Sequence, residues 1–142
     1  MPTKHIIKPA KSPAAVGPYN HAVRIGDLLF CAGQIPIDPA NGNLMAGDIK
    51  VQTERVLQNV KAILDDQKLT FANVVKTTVF MTNLAEFAAM NEVYAQYFTG
   101  EYPARSTVQV AALPRGAQVE IEVIAQYWSF RPVNAPGDTP AR

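Results

Sequence analysis

The stretch Tyr102–Ala125 constrains the fold more than any other part of this chain. Arg105, Thr107 and Gln109 alternate with Ser106, Val108 and Val110; further on, Val119, Ile121 and Val123 alternate with Glu120 and Glu122. Period-two alternation marks strands with one buried face, and Leu113-Pro114-Arg115-Gly116 supplies a turn between them. The stretch reads as a hairpin with Val108 and Val110 on the same side as Val119, Ile121 and Val123. Arg105 and Thr107 are then placed beside Glu120 and Glu122, because a one-residue slip reverses every side chain. A guanidinium and two carboxylates share one surface. Two readings fit it: an ion-pair ladder on a solvated sheet, or a site for a small anion matched to the planar fork of arginine.

The rest of the chain bounds the possibilities. Its 142 residues suffice for one domain with a core that needs no covalent staples. We place that domain at residues 1–130. Beyond Arg131, the residues Pro132, Pro136, Gly137 and Pro140 predict a flexible tail over 131–142. A formal charge of +1, without a block of like charges, disfavours a nucleic-acid partner. No run of about 18 apolar residues and no apolar signal core is present, which disfavours membrane spanning and secretion. The single cysteine, Cys31, forms no internal disulfide, and a cytoplasmic location fits it.

Lys4–Lys8 reads as a short edge strand, followed by a loop that Pro9, Pro13 and Pro18 keep irregular. Tyr19 closes that loop as a rim aromatic. His21–Ile25 and Leu28–Ile35 read as a hairpin around Gly26-Asp27. The apolar run from Leu28 to Ala32 predicts a strand buried on both faces, and Gly33 within it predicts a bulge or a close backbone approach. Asp38-Pro39 and Asn41-Gly42 mark a surface loop. Asp48 caps a helix to about Gln67, with Ile49, Val56, Leu57, Val60, Ile63 and Leu64 on one side. Val74–Met81 is a β-branched strand. Asn83 caps a second helix, Leu84–Phe98, whose apolar stripe of Phe87, Met90, Tyr94 and Phe98 also holds Asn91. A buried amide needs partners, either backbone groups or the wall of a pocket. The last strand extends to about Phe130, with Tyr127, Trp128 and Phe130 hinting at a further covering surface.

The missing chemistry narrows the reaction. His5 and His21 have no metal-ligand spacing with Cys31, so a zinc deaminase site cannot be assembled. Neither G-x-S-x-G nor a Walker-type glycine loop is present. Lys61 on the helix and Lys76 in the strand read as solvated positions. An enzyme built here would work with arginine, glutamate, backbone groups and water, without a cofactor. Hydrolysis of an imine suits so small a set, because the imine carbon is already electrophilic and needs only an oriented water and a proton shuttle.

Several separated motifs resemble the RidA family, also called YjgF, in the same order: Gly17-Pro18-Tyr19, Ala32-Gly33-Gln34-Ile35-Pro36, Asn59-Val60-Lys61-Ala62-Ile63-Leu64, Val74-Val75-Lys76-Thr77-Thr78-Val79-Phe80, Pro103-Ala104-Arg105-Ser106 and Val119-Glu120-Ile121. The similarity spans roughly residues 5 to 129. It implies an α+β, chorismate-mutase-like fold: one mixed sheet of about six strands with two helices packed on one face. It also implies hydrolysis of 2-aminoacrylate and related 2-imino acids to 2-oxo acids and ammonia, in functional partnership with pyridoxal-phosphate enzymes that release them. By this resemblance Arg105 clamps the substrate carboxylate together with the backbone N–H of Gly33. Glu120 positions or activates water, the backbone carbonyl at Thr107 accepts from the substrate nitrogen, and Tyr19 and Asn91 shape the cavity. The resemblance further implies a homotrimer with sites between subunits.

Two positions depart from the family pattern. Thr107 stands where close bacterial members often carry cysteine, and Ala32 where a serine often precedes the glycine; both bear on substrate preference more than on the reaction. Rival readings are an endoribonuclease that inhibits translation, and a non-enzymatic metabolite-binding or chaperone-like trimer.

Overall fold

The computed structural model describes residues 3–127. Trp128, Phe130, the expected domain boundary at 130 and the tail expected over 131–142 lie outside the described residues. The elements run β1 (His5–Ile7), β2 (Ala22–Ile25), β3 (Leu28–Gln34), α1 (Ile49–Asp66), β4 (Val74–Met81), α2 (Phe87–Tyr97), β5 (Ala104–Gln109) and β6 (Val119–Gln126). One six-stranded sheet has the order β1-β2-β3-β6-β4-β5. The β4–β5 pair is parallel and every other pair antiparallel, so the sheet is mixed and the architecture α+β, as expected.

Local chemistry sets most of these boundaries. Gly26 turns at φ 56° between β2 and β3, the left-handed conformation that a two-residue hairpin turn favours. Asp48 caps α1 by accepting from Val51 N at 3.0 Å. Asn83 caps a single 3₁₀ turn, Leu84–Glu86, through Ala85 N, and α2 follows from Phe87. The second helix is therefore shorter than expected at its start. Strand β6 is described from Val119 to Gln126, and its expected end at Phe130 lies outside the described residues.

Both helices cover one face of the sheet. Val56, Leu57, Val60, Ile63 and Leu64 of α1 and Met90 of α2 meet Val79, Met81, Val119, Ile121 and Val123, all at 2% exposure or less. Each such side chain contributes about 1.5–3 kcal/mol on burial. The ion pairs Lys50–Glu92 and Lys61–Asp65 are half or more exposed and contribute little. The helix-to-sheet layer thus holds the fold.

The other face is covered by no element among the described residues. Cross-strand register aligns Ile6, Val23, Phe30 and Ile124 across it, and Phe80 with Glu120 and Val108. Ile6, Phe30 and Val108 are each 41% exposed, and Leu28 is 37% exposed. The expectation that the Leu28–Ala32 run is buried on both faces is corrected: Leu29 and Cys31 are buried against the helices, while Leu28 and Phe30 look outward. Lys76 sits on this open face, half-buried, donating to Ser106 Oγ at 3.1 Å and Thr77 O at 3.2 Å. No helix among the described residues is long and apolar enough to cross a membrane.

Candidate functional site

The expected hairpin between β5 and β6 does not form. Strand β4 lies between them, and each pairs with β4 instead. Thr77 is registered with both Arg105 and Val123, and Val79 with both Thr107 and Ile121. Arg105 and Thr107 therefore share the helix-side face with the core valines, whereas Glu120 and Glu122 line up with Phe80 and Thr78 on the open face. Within one chain the guanidinium and the carboxylates are on opposite sides of the sheet. The shared surface read from the alternation is overturned, because the apolar face it assumed for Val108 is the open one.

Each side of the sheet has its own cavity. On the helix side, a cavity of about 330 Å³ is lined by Arg105, Asn91, Tyr94, Tyr102 and Pro103. Arg105 reaches across the edge of β5 to α2. Its Nη1 donates to Asn91 Oδ1 at 2.8 Å, and its guanidinium carbon lies 4.7 Å from the Tyr94 ring centre and 5.4 Å from that of Phe87. Cation–π contact of this kind holds a guanidinium without neutralising it. Neither ion pair among the described residues uses Arg105. Its charge stays available. Asn91 is thus a pocket wall and an orienting acceptor. Tyr94 is fixed by a 2.8 Å hydrogen bond with Thr77 Oγ1, and burial pushes its phenol above the ordinary value. Thr107 follows on the same edge strand, where its Oγ1 is buried with no hydrogen-bond partner among the described residues.

The second cavity, about 320 Å³, is bounded by Tyr19, His21, Gly33, Glu120 and Arg115. The register between β3 and β6 slips between Cys31 and Gln34, so Ala32 and Gly33 form a bulge opposite Glu122. Both expectations for Gly33 are met. A Cβ built there would lie 2.6 Å from Glu120 Oε2, so only glycine lets the carboxylate rest against the bulge. Burial, then repulsion from Glu122, raises the Glu120 pKa above the ordinary carboxylate value, the direction that readies a carboxyl group for proton transfer near neutrality. Tyr19 is 46% exposed and accepts from Val16 N through its hydroxyl at 3.3 Å.

Buried polar residues of α1 hold the walls. Asn59 Nδ2 donates to Ile37 O at 2.8 Å and Ile35 O at 3.2 Å, while Arg55 donates to its Oδ1. Gln52 bridges Met45 O and Gln118 N. Cys31 faces the core, and burial pushes its thiol up to about 12, which leaves it a poor nucleophile.

The structure thus brings Tyr19, Gly33 and Glu120 together, and separately Arg105 and Asn91, with Thr107 on the same face of β5 as Arg105 but outside the lining of that cavity. Phe87, Tyr94, His21 and Arg115 escape a reading of the sequence as site residues. The first two read as helix core and Arg115 as turn chemistry, and His21 lacks metal-ligand spacing.

Comparison with known proteins identifies the architecture. A family model described as Endoribonuclease L-PSP matches residues 9–127. Protein DfrA of Myxococcus xanthus is 52% identical over 117 residues, covering 81% of this chain and 89% of its own length. The 2-iminobutanoate/2-iminopropanoate deaminase of Capra hircus is 45% identical over 122 residues, covering 86% of this chain and 89% of its own length. The crystal structure of E. coli TdcF with bound serine superposes with a TM-score of 0.82 at 44% identity, covering 86% of this chain and 98% of that one. With its fold, motif order and matched span in agreement, the chain belongs to the Endoribonuclease L-PSP family, which is the RidA/YjgF family.

Proposed function

We propose that this protein hydrolyses 2-imino acids to 2-oxo acids and ammonia, in an assembly where Arg105 of one copy meets Glu120 of another. The observation that carries this reading is the division of the site. A free, aromatic-braced guanidinium and a carboxylate of raised pKa occupy different cavities on opposite faces of one sheet, so a complete site needs a second chain. The open, partly apolar sheet face gives that chain somewhere to pack, since contiguous exposed apolar surface marks an interaction site. Three copies, the arrangement the family resemblance implies, would bury that face and close each site between neighbours. The named activity of the Capra hircus relative and the serine bound by TdcF support a small amino-acid-like substrate with a carboxylate.

The chemistry follows from the residues. Arg105 holds the substrate carboxylate, a bidentate charge-assisted contact, and the backbone at Gly33 adds a donor. An enamine such as 2-aminoacrylate first takes a proton at carbon to become the imine. Glu120 then accepts a proton from water as the oxygen bonds to C2, and the C=N electron pair passes to nitrogen. Glu120 returns that proton to nitrogen to give the carbinolamine, then takes the hydroxyl proton and passes it to the amino nitrogen as the C–N bond breaks, leaving the 2-oxo acid and ammonia. The carbonyl of Thr107 orients the nitrogen. No electrons are gained or lost overall. Positioning does most of the work, with acid–base transfer adding about 10²–10⁴-fold.

The test couples purified protein to a pyridoxal-phosphate dehydratase that releases 2-aminoacrylate, and follows pyruvate and ammonia. Wild type accelerates their release and Arg105→Ala does not; equal rates with and without wild type would reject the reading.

A further inference from the structure

We infer that Thr77 and Tyr94 are positioning residues for the carboxylate clamp: the buried hydroxyl of Thr77 holds the Tyr94 ring, and the ring sets where the Arg105 guanidinium stands. The inference rests on the proposed role of Arg105 as the anchor of a substrate carboxylate, and assigns two side chains that act through it.

The register of the sheet makes this a three-body contact. Thr77 and Arg105 are direct partners on the parallel strands β4 and β5, which run about 4.8 Å apart, and both side chains are on the helix-side face. Tyr94 of α2 reaches both. Its hydroxyl shares a 2.8 Å hydrogen bond with Thr77 Oγ1, while its ring centre lies 4.7 Å from the guanidinium carbon of Arg105. The ring therefore cannot slide along the guanidinium without breaking its bond to Thr77. Phe98 stacks on the same ring, with centres 4.3 Å apart and planes at 24°, which restricts its tilt.

Packing alone does not call for these hydroxyls. Thr77 is 0% and Tyr94 5% exposed. Valine with phenylalanine would fill nearly the same volume without two polar groups to satisfy away from water. A buried pair whose hydrogen bond is made specifies one arrangement. What it specifies here is the setting of Arg105, the only charged residue among those lining the cavity. Arg105 has neutral supports: Asn91 Oδ1 and two rings. Phe87, the second ring, is 38% exposed and 5.4 Å away, so Tyr94 is the firmer of the two.

Calorimetry on the purified protein, with 2-oxobutanoate as the carboxylate probe, reads the clamp without requiring turnover. Thr77→Val removes one hydroxyl at nearly constant volume, and Tyr94→Phe removes the other and keeps the ring. Each variant is expected to bind 2-oxobutanoate about three- to tenfold more weakly, the share of one neutral hydrogen bond. The double variant should bind no more weakly than the worse single, because both changes delete the same bond. Thr77→Ser keeps a hydroxyl and should return the affinity to near wild type. In dehydratase-coupled kinetics the loss should appear in KM, with a smaller change in kcat. A folded Thr77→Val or Tyr94→Phe protein that binds as tightly as wild type overturns the inference, whatever its thermal midpoint, because the pair then serves packing alone. Additivity in the double variant overturns it too, as does a wild type with no affinity for 2-oxobutanoate. A protein that shows the expected binding pattern yet fails to accelerate imine hydrolysis would count against the deaminase reading and leave the positioning role standing.

Discussion

Replacing Gly33 with alanine probes the contact between the bulge and the Glu120 carboxylate. The added Cβ would lie 2.6 Å from Glu120 Oε2, 2.7 Å from its carboxyl carbon and 2.9 Å from Cγ, while ordinary contact begins at 3.4 Å, so the carboxylate must retreat by about 0.8 Å. The displaced atoms are the end of a flexible side chain facing a cavity. The stability cost should therefore fall at the low end of the ~1–3 kcal/mol typical of overpacking. Activity is more sensitive, since a misplacement of about 1 Å can cost on the order of 10²-fold. We expect kcat/KM for dehydratase-generated 2-aminoacrylate to fall about 10²-fold, with a thermal midpoint close to wild type. If the loss acts through Glu120, adding Gly33→Ala to Glu120→Gln should cost little more, because residues acting as one unit are non-additive. A folded Gly33→Ala protein with more than half of wild-type kcat/KM would refute the reasoning, as would full additivity in the double variant.

Three further outcomes are expected. Glu122→Gln removes the like charge that helps raise the Glu120 pKa. Glu120 should then ionise at lower pH, and the acid limb of the kcat/KM profile should move to lower pH; a limb that stays in place means another group sets it. Asn91→Ala removes the acceptor that orients Arg105 but leaves the Tyr94 and Phe87 rings, so KM should rise several-fold with a smaller change in kcat, read by steady-state kinetics. Asp48→Ala removes the cap on Val51 N and should cost about 1 kcal/mol in denaturant unfolding, without altering substrate preference.

Much of the fold was legible because local chemistry marked it. Gly26-Asp27 announced the β2–β3 hairpin, Asp48 the start of α1, the β-branched run Val74–Met81 the whole of β4, and Gly33 the bulge. The failure lay in pairing. Alternation assigns side chains to faces but does not say which strands are neighbours, so nothing local to Tyr102–Ala125 revealed that β4 is inserted between β5 and β6. Side-chain parity misleads here for a physical reason. It places Val108 toward the core, whereas the open face is itself apolar at Phe30, Phe80, Ile124 and Val108. Where both faces of a sheet carry apolar residues, the pattern cannot orient a strand. The components of the site were nonetheless visible: Arg105, Glu120, Gly33, Tyr19 and Asn91 all line one of the two cavities. What the pattern could not supply was their division between two faces.

Subunit complementation tests the divided site most directly. Arg105→Ala and Glu120→Gln, each inactive alone, are unfolded together in equal amounts, refolded and assayed for 2-aminoacrylate hydrolysis. If each site draws its arginine and its glutamate from different copies, random assembly into a closed ring rebuilds about a quarter of the sites, and about that share of wild-type activity returns. Mixtures that stay as inactive as the separate variants, despite proven co-assembly, would contradict the account.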